Sequence, residues 1–193
     1  MSAPNQLLWA IAGLLLTIAG TFIEAFIASP PWQWSQGIHV QPLGITYQIA
    51  AVLLTGCLGG QNAGAISQVA YVVLGLFWLP VFAYGGGIEY VKEPSFGYIL
   101  GFIPGAWLCG WLAFRTKAKP ETLALSAIGG LAMIHGFGIL YLVGLATLAP
   151  GSAIAQDLQQ AIATYSLAPL PGQLVAVCGV AVVGYVFRKI LLY

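Results

Sequence analysis

Six long apolar runs limit what this chain can fold into more than any other feature of it. They cover about Leu7 to Ala28, Leu43 to Gly60, Ala63 to Leu79, Phe96 to Phe114, Leu123 to Leu148 and Leu167 to Phe187. A helix needs roughly 20 mostly apolar residues to cross a bilayer. In hydrocarbon its backbone groups must all be bonded within the segment. Each run comes near that length. Only 6% of the 193 residues are charged and 60% are hydrophobic, whereas a soluble domain carries about a quarter charged residues. The expected fold is all-α: an integral membrane six-helix bundle, a single transmembrane domain over residues 1–193 without internal repeats. The second and third helices are parted only by Gly60, Gln61 and Asn62, which predicts a tight hairpin.

An even number of crossings brings both termini to one side, together with the joins between helices two and three and between four and five. That side holds Arg115, Lys117, Lys119, Arg188 and Lys189, and only Lys92 falls opposite. Basic residues collect in cytoplasmic loops, so both termini are expected in the cytoplasm. The first run follows no basic segment and is too long for a cleaved signal peptide. A net charge of +1 with no basic stripe argues against nucleic acid. Cys57, Cys109 and Cys178 stand singly in separate apolar runs and read as buried structural thiols. No GxxxxGK[ST] run is present to bind ATP, and no HExxH, GxSxG or cysteine–histidine pairing suggests catalysis. The chain therefore reads as no enzyme, and uphill movement of a ligand must draw on another protein or an ion gradient.

The outward joins carry the informative residues. Leu79 to Phe102 passes through Pro80 and the glycines Gly85, Gly86 and Gly87, and includes Phe82, Tyr84, Tyr90, Phe96 and Tyr98. Glycine and proline end regular structure and permit tight turns, so this stretch reads as an aromatic lid over a small molecule. Trp32 and Trp34 suit an interfacial belt. Ile154, Leu158 and Ile162 recur at helical spacing, with Gln156, Asp157, Gln159 and Gln160 opposite and Ser152 as a possible N-cap. They predict a short amphipathic helix on the membrane surface or on the lid. Gly97, Gly101 and Gly105 clear one face of helix four, near Pro104, either for helix packing or for a flat ligand.

Polar groups at bilayer depth are costly and tend to face the bundle interior. Glu24, Gln48, Tyr98 and Gln173 fall toward the outer half, with Gln68 and Tyr71 on helix three and His135 on helix five. Amides with a phenol or two form a neutral hydrogen-bonding set suited to a polar ring such as a urea or amide. Gln68 reads equally as an interhelical hydrogen bond. His135 reads as a space-filling partner of a backbone carbonyl, and Glu24 as a side chain reaching the outer interface. In the rival reading Glu24 or His135 is the acid–base group of a small membrane-embedded enzyme.

Several of these runs together resemble the BioY family, the biotin-binding S components of energy-coupling-factor (ECF) vitamin transporters. The resemblance rests on Gly75-Leu76-Phe77-Trp78-Leu79-Pro80-Val81-Phe82, the glycines after it, Pro94, Gly97-Tyr98 and Gly101-Phe102. It extends to Thr46-Tyr47-Gln48, Gly59-Gly60, Gly64, Gln68 with Tyr71, and Pro169-Leu170-Pro171-Gly172. It implies a six-helix protein of the plasma membrane that captures biotin from outside. Delivery inward would fall to an ECF transmembrane coupling subunit and a pair of cytoplasmic ATPases. Lipid bilayer, biotin and those subunits are thus the implied partners, with no cofactor. The implied ligand-binding residues are Gln48, Tyr71, Phe82, Tyr84, Gly85, Gly86, Tyr98 and Gln173. One departure stands out: the family follows its PxPG with an acidic residue and, three positions on, a lysine, where this chain has Gln173 and Ala176. Gln173 still offers a carbonyl acceptor to a ureido N–H, while a cation for a carboxylate must come from Lys92 or from backbone N–H groups. A different vitamin or a biotin precursor is the nearest alternative ligand. On helix one, the small pairs Gly13/Thr17 and Ala25/Ser29 come nearest to the pattern by which S components dock a coupling subunit.

Overall fold

A computed structural model describes residues 3–151 and 153–191. The long helices are α1 (Ala3–Phe22), α2 (Gln48–Phe77), α3 (Phe96–Ala113), α4 (Pro120–Leu148) and α7 (Leu170–Leu191), with α5 (Ala153–Gln156) and α6 (Leu158–Ile162) short. Strands β1 (Glu24–Ala28) and β2 (Val40–Thr46) form a two-stranded antiparallel hairpin. Helices long and apolar enough to cross a membrane make this a multi-pass membrane protein.

The stretch named α2 is two helical arms. Gly60 sits at φ 77° and ψ −178°, a conformation no helix accommodates and one that only glycine adopts freely. Residues 48 and 71 would lie roughly 35 Å apart on a straight helix rising 1.5 Å per residue. Instead Gln48 Nε2 donates to the Tyr71 hydroxyl at 2.8 Å. The chain therefore doubles back at Gly60, giving the expected hairpin and a bundle of six helical segments. Both arms straddle α3: a Cβ on Gly56 would lie 2.7 Å from the Ala106 carbonyl oxygen, and one on Gly64 3.1 Å from the same atom. Small residues let these backbones touch, which is how packing substitutes for the hydrophobic effect in lipid.

The first helix ends earlier than the hydropathy predicts. Instead of running to Ala28 it stops at Phe22, and the second helix starts at Gln48 rather than Leu43. The intervening residues pair as strands, Ala28 with Val40 and Glu24 with Thr46, with a bulge between Glu24 and Phe26. Pro42 has no N–H to give a helix and Gly44 sits at φ 67°, so this part of the apolar run cannot begin one. Glu24 is thereby an exposed strand residue.

Three further expectations are corrected. Gly97, Gly101 and Gly105 admit no ligand, because α4 occupies that face: a Cβ on Gly101 would meet the Ile134 carbonyl oxygen at 2.8 Å, and one on Gly97 the Tyr141 side chain at 2.2 Å. Cys57 and Cys109 are buried with sulfurs 3.5 Å apart, but Cys178 lies outside the protein core on α7, a helix long and apolar enough to span the membrane, where it faces lipid. Gly13 and Thr17 turn inward: Gly13 abuts Thr55, and Thr17 accepts from Gln68 Nε2 at 3.1 Å. Ala25 is buried on β1, so neither small pair offers a clear helix face. Gln68 is accordingly an interhelical hydrogen bond. Pro104 lies inside α3, which runs unbroken from Phe96 to Ala113.

At the basic end, Arg188 is buried and ties α7 to α3, its Nη1 donating to the Ala113 carbonyl oxygen at 2.7 Å while its Cζ stands 4.1 Å over the Phe114 ring. A cation at a helix C-terminus meets the negative end of the helix dipole. The opposite end carries the β-hairpin, the join 78–95 and the segment 149–169. The predicted amphipathic helix is present there as α5 and α6, broken at Asp157, whose carboxylate caps α6 by accepting from the Gln160 N–H at 2.8 Å. Ser152 lies outside the described residues. Ile154, Leu158 and Ile162 pack on the protein's own core rather than pointing away from it.

Candidate ligand-binding site

The site is built outward from Tyr71, on the second arm of α2. Its side chain is fully buried, 0% exposed, so the hydroxyl must find partners within the protein. It finds three: it accepts from Gln48 Nε2 at 2.8 Å, donates to the Val81 carbonyl oxygen at 2.9 Å and lies 3.1 Å from Thr21 Oγ1. The phenol thus joins α1, both arms of α2 and the start of the 78–95 join. Phe82 packs edge-on against it at 5.3 Å and rests on Gly75, where a Cβ would come within 2.1 Å of the Phe82 ring. The Gly87 N–H donates to the Gly75 carbonyl oxygen at 2.8 Å, and Gly86 has no room for a Cβ against the same carbonyl. The join is therefore a plug pinned to the top of α2, with Phe82, Tyr90 and Phe96 clustered inside it.

The opposite wall comes from α7. Gly172 lets the start of that helix touch β2, since a Cβ there would lie 2.5 Å from the Leu43 carbonyl oxygen. The next residue, Gln173, is 5% exposed and faces His135 of α4, with Oε1 2.7 Å from Nε2. His135 Nδ1 is 3.1 Å from Ser166 Oγ, and Ser166 Oγ is 2.7 Å from the Tyr98 hydroxyl. Ser166 arrives on a π-helical turn, Ala163–Leu167, that widens the backbone just before α7. Tyr98 is seated by Gly138, where a Cβ would lie 2.3 Å from the ring. His135 meets Tyr98 edge-on at 5.7 Å.

Between these walls is a cavity of 160 Å³ lined by Gln48, Ile49, Ala83, Tyr90, Ser95, Tyr98, Ile99, Phe102, Tyr165 and Gln173. Of the residues singled out in the sequence, Gln48, Tyr98 and Gln173 line it together. Tyr71 stands directly behind Gln48. Phe82 is packed beneath the plug at 0% exposure, Gly85 and Gly86 form its turn, and Tyr84 is 74% exposed on its outer side. None of these four is in the lining. Ala83, Tyr90 and Ser95 take that place, with Tyr90 and Ser95 hydroxyls 3.2 Å apart. Burial raises the Tyr90 phenol above its ordinary pKa, so it is neutral. Ser166 and Tyr165 had no signal in the sequence, because nothing there distinguishes a π turn from an ordinary helix start. His135 was visible as a lone intramembrane histidine, but its partner lies 38 positions on.

Hydrogen-bonding capacity decides what the cavity presents. Gln48 spends its amide nitrogen on Tyr71, leaving its carbonyl oxygen for the cavity; Gln173 spends its carbonyl oxygen on His135, leaving its NH2. The two amides add an acceptor and a donor to a small neutral space whose other polar groups are the hydroxyls of Tyr90, Ser95, Tyr98 and Tyr165, a set that matches a cyclic amide or urea. No ionised side chain lines the cavity among the described residues. Lys92 pairs with Glu89 on the plug surface, and Ala176 faces a separate apolar groove between α1 and α7. Neither supplies a cation here.

Known proteins share this arrangement of helices. The chain superposes on a 2.1 Å crystal structure of the S-component for biotin from an ECF-type ABC transporter with a TM-score of 0.71, at 22% identity, over 98% of this chain and 95% of that one. It is 34% identical over 163 residues to the biotin transporter BioY of Rhodobacter capsulatus (79% of this chain, 83% of that one). It is 36% identical over 106 residues to the biotin transporter BioY of Thermotoga maritima (54% and 62%). A protein encoded in the psbX–ycf33 intergenic region of Cyanophora paradoxa is 26% identical over 185 residues, 96% of this chain and 95% of that one. The model of the BioY family itself matches residues 3–192, from α1 through α7, so the hairpin, the plug and both amide walls fall within it. On a match of that extent, the chain belongs to the BioY family.

Proposed function

We propose that this chain is the biotin-binding S component of an ECF-type importer in the plasma membrane, a single transmembrane unit with both termini in the cytoplasm. The observation that carries the reading is that two amides, Gln48 and Gln173, line one small cavity free of ionised side chains among the described residues. With Gln48 giving its NH2 to Tyr71 and Gln173 its carbonyl to His135, the pair would present an acceptor and a donor complementary to the N–H and C=O of a ureido ring. Tyr98 adds a phenol to the same wall, and Tyr71 holds Gln48 from behind. Phe82, Gly85 and Gly86 frame the plug, with Tyr84 outermost, and exclude water in the manner of a mostly apolar pocket with few polar groups. Energy for inward delivery comes from partners: an ECF transmembrane coupling subunit and cytoplasmic ATPase subunits. The enzyme reading finds no support, since Glu24 is exposed on β1 and both His135 nitrogens are engaged with neighbours. Family members are transport components, not enzymes.

Calorimetric titration of the purified protein with biotin tests this. Saturable binding that unrelated vitamins do not displace, weakened by Gln173→Ala, is the expected result. Folded protein that ignores biotin yet binds another vitamin or a biotin precursor would keep the fold and replace the ligand. The departure at Gln173 and Ala176 makes that the specific alternative.

A further inference from the structure

The buried chain Tyr98–Ser166–His135–Gln173 can run in two directions, and the amide placement at Gln173 corresponds to one of them. Gln173 Oε1 can only accept, so the His135 Nε2 facing it at 2.7 Å carries the proton. In a neutral imidazole Nδ1 is then an acceptor, and the Ser166 hydroxyl at 3.1 Å donates to it. Ser166 has one hydrogen, now spent, so its oxygen accepts from the Tyr98 hydroxyl at 2.7 Å. Every hydrogen in the chain is used once and all point the same way. The reverse direction is equally complete: Nδ1–H toward Ser166, Ser166 toward Tyr98, and the Gln173 amide turned so that its NH2 meets Nε2. The two directions differ in what they show the cavity. In the first, Gln173 offers a donor and Tyr98 only its lone pairs. In the second, Gln173 offers an acceptor and Tyr98 its O–H.

From this we infer that His135 is a positioning residue. Its Nε2–H tautomer fixes the Gln173 amide with NH2 toward the ligand, and so selects a ring that presents a carbonyl there over one that presents N–H. The inference rests on the reading above, in which the ureido ring lies against Gln173. It departs from the sequence expectation that Gln173 offers its carbonyl. His135 touches no ligand; it acts at both ends of one wall through Ser166 and Gln173. Both of those neighbours are buried, so water is poorly placed to replace the ring's hydrogen bonds.

Two measurements test it. The chain has two histidines, His39 in the outer loop and His135, so 15N-histidine labelling of a His39→Gln variant in lipid nanodiscs isolates one imidazole. The expected spectrum shows a protonated Nε2 and an unprotonated Nδ1. A protonated Nδ1 with bare Nε2 would overturn the inference without any ligand being present. The second is the ratio of affinities for biotin and 2-iminobiotin, whose protonated ring places N–H groups where biotin has its carbonyl oxygen. Wild type should prefer biotin by about 10- to 100-fold, the cost of facing donor to donor in a buried site. His135→Phe frees the amide to turn, and the ratio should fall several-fold, the part set by desolvating the cation remaining in both proteins. A variant that weakens both ligands equally, keeping the ratio, would mean His135 only fills space and the inference fails. If folded wild type binds neither ligand, the ureido reading falls on its own, and the tautomer spectrum still decides the direction of the chain.

Discussion

Removing one oxygen, in Tyr71→Phe, separates the structural from the binding role of the phenol. The ring keeps its edge contact with Phe82 at 5.3 Å, so no cavity forms. Thr21 keeps its second bond, to the Thr17 carbonyl oxygen at 2.8 Å. What is lost is the partner of the Val81 carbonyl and of the Gln48 amide nitrogen. A buried group left unpaired costs about 1–3 kcal/mol, and Val81 is buried in the plug. Gln48 is only partly buried and can turn toward the cavity, so stability should fall by about 2 kcal/mol rather than by twice that. The binding effect is separate. A glutamine no longer held must be ordered when the ligand arrives, at about 0.5–1.5 kcal/mol, which weakens biotin about 3- to 10-fold. Calorimetry in detergent gives the affinity, and thermal unfolding followed by tryptophan fluorescence gives the stability. A destabilised variant that binds biotin as tightly as wild type would refute the claim that Tyr71 orients Gln48.

Other expectations follow the same contacts. Gly138→Ala drives a methyl into the Tyr98 ring and should break the Tyr98–Ser166 hydrogen bond, costing about 1–3 kcal/mol in stability; unfolding and biotin titration together check it, and an unchanged variant would show that the ring has room to move. Asp157→Ala removes the cap of α6 and should cost about 1 kcal/mol locally, seen as faster amide exchange at residues 158–162. N-ethylmaleimide should leave Cys57 and Cys109 unmodified until the protein is denatured; mass spectrometry counts the adducts.

The bundle was legible because hydrocarbon leaves few options: six charge-poor runs and five basic residues at one end fix the crossings. The hairpin at Gly60 was legible for the same reason, two runs abutting at glycines. The β-hairpin was hidden, since Phe26, Ile27, Val40 and Ile45 are as apolar as a helix would be and merged with their neighbours in any hydropathy window. Pro42 and Gly44 were its only local marks. In the site, Gln48, Tyr98 and Gln173 were legible as polar residues at depth. Which of their atoms face the cavity was not, because that depends on partners distant in the chain: Tyr71 for Gln48, and His135 with Ser166 for Gln173. The plug misled in detail. Phe82 and Tyr84 are the conspicuous aromatics, yet Gly75 draws one inward and the turn at Gly85 leaves the other outside.

The absence of ionised residues from the cavity wall also has an electrical consequence. A transmembrane voltage does about 2.3 kcal/mol of work per elementary charge per 100 mV. With a neutral wall, the cavity lining itself adds no charge to that of the ligand. If an anionic carboxylate is carried toward a negative interior, no described residue of the cavity wall offsets its charge. A ligand whose acid is capped as an amide brings no such charge. What voltage dependence the binding cavity contributes to uptake would thus be set by the cargo.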